Sequence, residues 1–95
     1  MRLVWSKLAI RDLDELAEYI AQDSAQNAEL VETRIHEAAR LLSGMPGMGR
    51  LGRISGTREL IVPRTSFILV YRIKPGAIRI LRVFRGARRW PSRFE

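Results

Sequence analysis

The stretch "ILRVFRGARRWP", residues 80–91, places four arginines and a tryptophan within twelve positions. Arginine presents a flat fork of donors that matches phosphate and carboxylate groups and stacks on aromatic faces. Arg58 and Arg72 upstream add to Arg82, Arg85, Arg88 and Arg89, and Trp90 adds an aromatic anchor of the kind that interfaces use. Such a set can hold phosphates for RNA cleavage, clamp a nucleic acid, or grip a protein partner. Cleavage by 2′-OH attack needs a base and an acid besides the phosphate grip, and the supply of both is thin. The chain has no cysteine and one histidine, His36. No serine triad, cysteine–histidine pair or convincing zinc site is read from such a set, so no metal ligand and no cofactor is assigned. Asp12, Asp14, Glu15 and Glu18 would be the acid/base candidates, but a solvated helix face explains them better. His36 likewise reads as a solvated position in mid-helix. A guanidinium cluster with a carboxylate or the lone imidazole in hydrogen-bonding distance would turn this reading toward a nuclease.

The elements that position these groups follow from periodicity. "RLVW" (residues 2–5) reads as an opening strand, with Ser6 as N-cap of a helix. Ala9, Leu13, Leu16, Ala17 and Ile20 form one apolar stripe at helical spacing, with the acids projecting away and suiting the helix dipole. Ser24 caps a second helix, whose stripe is Ala28, Val31, Ile35, Ala38 and Leu42 and which ends at Gly44 and Pro46. Helices joined this closely fold back as an antiparallel hairpin. Residues 44–56 are loop-like. The G-x-G-x-x-G within them (Gly47 to Gly52) follows a helix and precedes a strand, the wrong context for a dinucleotide fingerprint, so the glycines are assigned to turns.

Beyond the loop the period changes to two. "RELIVP", "TSFILVYRIK" and "AIRILRVFR" read as three strands, and "KPGA" (residues 74–77) turns the last two into a hairpin. The fold class is α+β, an N-terminal antiparallel helix hairpin packed on a small antiparallel β-sheet, in a single domain over residues 1–95. Pairing Ile73 with Ile78 sets Arg72 opposite Arg79, with Lys74 on the same face. Unbroken alternation puts Arg82 on the other face among Phe67, Leu69, Tyr71, Ile80 and Phe84, with Glu59 or a group outside the chain as its partner.

The net charge of +7 is unevenly placed. Residues 1–48 hold five basic and eight acidic side chains (−3), and residues 49–95 hold twelve and two (+10). Fifteen of the seventeen basic residues are arginine, so an acidic partner is expected for the second half, with arginine-rich codon usage as the plain alternative. No apolar run approaches the roughly 18 residues of a membrane span, and the N-terminus lacks a signal-peptide core. A soluble cytoplasmic protein is the expectation.

Four stretches taken together resemble the RelE/ParE superfamily of bacterial toxins, its ParE branch in particular. They are "WSKLAIRDLDELAEYIAQDSAQNA" (5–28), "GRLGRISGTREL" (49–60), "LVYRI" (69–73) and "ILRVFRGARRWP" (80–91). The resemblance implies a helix hairpin on a small antiparallel sheet. It also implies a type II toxin that poisons DNA gyrase, as ParE-like toxins do, or cuts messenger RNA in the ribosome, as RelE-like mRNA interferases do. A cognate antitoxin, a DNA-binding domain with an amphipathic tail, would silence it. Two departures favour a binding inhibitor over an enzyme. Many ParE-like chains read "HGAR" where this one has Arg85-Gly86-Ala87-Arg88, and arginine is no proton-transfer group near neutral pH. Phe67 and Ile68 stand where the ribonucleases place an arginine before "LVY". Arg58, Arg72, Arg82 and Arg85 are then expected to line the sheet surface facing antitoxin or target, with Arg88, Arg89 and Trp90 in a C-terminal contact region. In the ribonuclease alternative the first four hold the scissile phosphate. Direct nucleic-acid binding ranks below both, because the helices are the acidic half and none reads as a recognition helix.

Overall fold

The computed structural model describes residues 1–86 and 89–91. Strand β1 (Arg2–Trp5) leads into helix α1 (Lys7–Ala21), and helix α2 (Ala25–Gly44) follows. A single 3₁₀ turn at Pro46–Met48 precedes strands β2 (Arg50–Leu51), β3 (Arg58–Ile61), β4 (Phe67–Lys74) and β5 (Ala77–Arg85). Both expected caps are in place: the Ser6 and Ser24 hydroxyls accept from the Ala9 and Asn27 amides at 3.0 and 3.1 Å. Each satisfies an amide that a helix start leaves without an intrahelical partner. None of the α1 acids falls in its first turn, so the dipole is not their role.

The sheet order is β1-β5-β4-β3-β2. It is antiparallel except at one edge, where β1 runs parallel to β5 and makes the sheet mixed. The helix hairpin carries the chain from β1 at one edge of the sheet to β2 at the other, and β3 and β4 bring it back to β5 beside β1. Strand β2 lay hidden within the glycine-rich loop: two residues are too few to show a period. Pro75 and Gly76 turn the β4–β5 hairpin, Gly76 at φ +71° as the second central residue of a type II turn requires. The hairpin pairs Ile73 with Ile78 and Arg72 with Arg79, as alternation required.

One helix-covered layer forms the main core, in which Ile35, Leu42, Leu69, Tyr71, Ile78 and Ile80 are fully buried. Tyr71 also ties down the preceding loop. Its hydroxyl accepts from the Gly49 amide at 2.9 Å and donates to the Pro46 carbonyl at 2.7 Å. A Cβ on Gly49 would lie 2.6 Å from that hydroxyl and 2.8 Å from the Glu59 carbonyl, so only glycine fits there. The opposite sheet face is open and carries a small satellite cluster of Ile68, Val70 and Phe84 under Trp90.

Alternation breaks at Leu81. Val70 pairs with Arg82 while Tyr71 pairs with Ile80, so Leu81 is an extra residue, a β-bulge. The bulge resets which face each later residue occupies. Ile80 and Val83 share the helix side, whereas Arg82 and Phe84 move to the open face beside Val70. The expected grouping of Arg82 with Phe67, Leu69, Tyr71 and Ile80 is therefore corrected. A period-two reading cannot see an inserted residue.

Candidate functional site

Arg82 is fixed from across the sheet edge. Strand β1 ends opposite Ile80, and from there α1 takes over the hydrogen bonding of the β5 edge. The Ser6 amide donates to the Ile80 carbonyl at 2.9 Å, and the Ser6 hydroxyl donates to the Leu81 carbonyl at 2.8 Å. Nearly two helical turns further along, Asp12 accepts from the Val83 amide at 3.0 Å. The same carboxylate takes both prongs of Arg82, Nε at 2.7 Å and Nη2 at 2.9 Å. Asp12 is 8% exposed, and three donors compensate the burial of its charge. The hydrogen bond that Arg82 donates to Asp12 holds its guanidinium above the ordinary arginine range, against a smaller opposing effect of its own burial.

This corrects two expectations. Asp12 is not part of a solvated face, and the partner of Arg82 is Asp12 rather than Glu59. The signal was in the sequence: Asp12 stands three residues after Ala9 and four before Leu16, on the flank of the α1 apolar stripe. Asp14, Glu15 and Glu18 are exposed, in agreement with a solvated face.

Glu59 organises the second cluster. It lies on β3 opposite Val70, on the open face, and is 2% exposed. Arg50 Nη2 donates to it at 3.2 Å and the Arg53 amide at 2.8 Å, with Arg53 Nε 3.5 Å away. The Arg53 guanidinium then lies 3.4 Å from the centroid of the Trp90 ring, which rests on Phe84 with centroids 4.9 Å apart. Trp90 Nε1 donates to the Arg85 carbonyl at 3.3 Å. A stack of Arg53, Trp90 and Phe84 thus covers the cluster of Ile68 and Val70 and places Trp90 on the open face. Arg50 and Arg53 were not singled out from the sequence, since their loop showed no period to orient them.

The arginines singled out from the sequence do not converge. Arg58 is on the helix-side face beside Tyr71 and donates to the Gly49 carbonyl at 2.8 Å. Arg72 stands on the open face opposite Arg79. Arg85 is exposed on the helix side, 5.8 Å from the Tyr19 ring and 5.7 Å from the Phe67 ring. There it borders a groove of about 540 Å³ between α1 and the end of β5, whose walls include Asp12, Leu16, Tyr19 and Val83. Arg89 is exposed, and Arg88 lies outside the described residues. His36 is exposed on α2 and meets Trp5 with ring centroids 5.2 Å apart, a pairing on the β1 side of the molecule. Among the described residues no three carboxylates or imidazoles gather as metal ligands would, and no helix is long and apolar enough to cross a membrane.

A carboxylate does stand within hydrogen-bonding distance of an arginine in both clusters, the condition set for a nuclease. In both cases it is buried and already accepts from its guanidinium and from a backbone amide. A general base must have a lone pair free to reach the substrate proton. Asp12 and Glu59 are buried, and each is committed to structural donors.

Comparison with known proteins places this geometry. The family described as "ParE toxin of type II toxin-antitoxin system, parDE" matches residues 3–90. A Sinorhizobium fredii protein named "Putative toxin Y4kP" is 39% identical, over 96% of this chain and 94% of the relative. Toxin RelE2 of Caulobacter vibrioides is 30% identical, over 92% and 97%. Among solved structures, a chain of the chromosomal ParDE toxin–antitoxin system of P. aeruginosa superposes with a TM-score of 0.80 at 31% identity, over 90% of this chain and 95% of that one.

Proposed function

The chain belongs to the ParE toxin family of type II toxin–antitoxin systems, and from that premise we propose that it arrests growth by binding DNA gyrase and that a cognate antitoxin silences it. The observation that carries this reading is the burial and structural engagement of Asp12 and Glu59. Among the described residues the arginine clusters have grip, while the two carboxylates that pair with them are buried and engaged by structural donors. Stoichiometric occupation of a surface needs no proton shuttle; cleavage of RNA does.

The antitoxin contact belongs at the groove beside Arg85. Its walls are apolar at Leu16, Phe67 and Val83, and Arg85 and Glu15 mark the rim. An amphipathic segment lays its apolar face into such a groove and its charges along the rim. Arg89 and Trp90 extend the surface around the end of β5, and Arg88 belongs with them by sequence. Arg58 and Arg82 support the surface from within, because both side chains are spent on intramolecular hydrogen bonds.

The test is DNA supercoiling by purified gyrase in the presence of the purified full chain. Inhibition that disappears on adding the antitoxin is the expected result. Growth arrest by a chain that leaves supercoiling untouched would overturn the reading. The second reading, a ribosome-dependent mRNA interferase, is favoured by the 30% identity to a relative named Toxin RelE2. It predicts codon-specific cuts in cellular mRNA after induction, lost on Arg72→Ala or Arg85→Ala. Arg82→Ala is a poor probe here, since it strands Asp12.

A further inference from the structure

We propose that the β4–β5 hairpin end of the open sheet face binds the phosphodiester backbone of nucleic acid directly. Four cations meet there. Arg72 and Arg79 oppose each other across β4 and β5, and one row further along Lys74 opposes Ala77. Ala77 in turn lies beside Arg2 of β1, which brings Arg2 onto the same face. Neighbouring strands lie about 4.8 Å apart and same-face residues along a strand about 6.8 Å apart, so the four positions fill a compact patch. Arg2, Lys74 and Arg79 are exposed and Arg72 half-buried. The Arg72 guanidinium lies against the loop at Gly56, its Nη1 2.6 Å from where a Cβ on that glycine would stand.

The patch carries a cost that the chain does not offset. Like charges directly opposed on a sheet are unfavourable. Among the described residues the ion pairs engage Arg11, Arg50, Arg53 and Arg82, so none of these four cations has a carboxylate partner. Among the described strand residues Glu59 is the acid of the open face, and it is buried under Arg50 and Arg53. A ligand of uniform and dense negative charge relieves such a patch.

Nucleic acid fits better than an acidic protein segment. A protein interface has an apolar core, and the exposed Ile73 of this hairpin points to the other face, paired with Ile78. The patch offers charge alone, as a backbone contact without base reading requires. The acidic helices lie on the opposite side of the sheet and leave this face clear.

The experiment is a fluorescence-anisotropy titration of a labelled duplex DNA with the full-length chain, without gyrase, at about 50 and 200 mM salt. Four neutralised phosphates predict that affinity falls about 100-fold between the two salts, and Arg72→Gln/Arg79→Gln reduces that to about 10-fold. Arg2→Gln/Lys74→Gln, on different strands, should reduce it equally, and Arg11→Gln/Arg40→Gln on the helices should change nothing. Circular dichroism melting of each variant separates a lost contact from a lost fold. A single-stranded RNA arm separates the sources of phosphate: the tighter of the two names the natural one, and either supports the patch. Absence of binding, insensitivity to the two hairpin-end variants, or equal affinity for polyglutamate of matched charge would overturn the proposal. Because no gyrase is present, the outcome is independent of the gyrase reading.

Discussion

Arg82 and Arg72 sit on the same face of adjacent strands, yet they are different kinds of residue. Arg82 has Asp12 across the sheet edge, in a bidentate pair that also caps the Val83 amide. Arg72 has another arginine across the ladder. The first is structure: its charge is satisfied within the chain and its geometry is set by a helix. The second is unsatisfied charge held on a rigid ladder. Arginine density in a sequence therefore counts two populations, and what sorts them is whether a carboxylate on a neighbouring element reaches.

Removing the partner on the structural side should have the largest effect. Asp12→Ala leaves a half-buried guanidinium and a buried amide unpaired, and breaking a buried pair on one side costs about 3–5 kcal/mol. For a chain of this size that lowers Tm by more than about 10 °C. A melting temperature within about 2 °C of the parent's would show that Arg82 and Val83 find other partners, and the distinction between the two arginines would lapse.

Glu59→Gln should be intermediate. The amide retains an acceptor for the Arg53 backbone or for Arg50, but it loses the charge that holds two half-exposed guanidinium groups. A loss of about 1–2 kcal/mol in denaturant unfolding is expected. The Trp90 fluorescence should change with it, because Arg53 stacks on that ring. An unaltered Trp90 signal in a Trp5→Phe background would show that Glu59 does not hold the stack.

The smallest effect, and of opposite sign, belongs to the unpaired side. Arg72→Gln/Arg79→Gln removes a like-charge opposition and should raise Tm by about 1–3 °C at low salt, the gain shrinking as salt is added. A fall in Tm would mean that the ladder arginines contribute packing that outweighs their repulsion.

Much of the fold was legible because its determinants are local. The Ser6 and Ser24 caps, the two apolar stripes, the Pro75-Gly76 turn and the Arg72–Arg79 register each depend on residues a few positions apart. The site was legible by composition and not by arrangement. Arg58 and Arg85 turned out to face the helix side, and Arg72 and Arg82 the open one. For Arg82 and Arg85 the cause is the bulge at Leu81, an insertion that a count of alternating residues passes over. The partner of Arg82 lies seventy positions away, so only the crossover of α1 along the β5 edge reveals it. The roles of Arg50 and Arg53 depend on Glu59 being buried, which a lone acid in a basic half does not announce.

The amino-acid order alone determined the element types, the helix hairpin, the β4–β5 register and the charge division between the two halves. Each of these follows from short-range sterics, periodicity and capping. Only the tertiary structure decided which carboxylates are spent on structure, on which face each arginine stands, and which cations remain without a partner. Those outcomes depend on distances between groups far apart in the chain, and electrostatic energy is set by distance and burial in space.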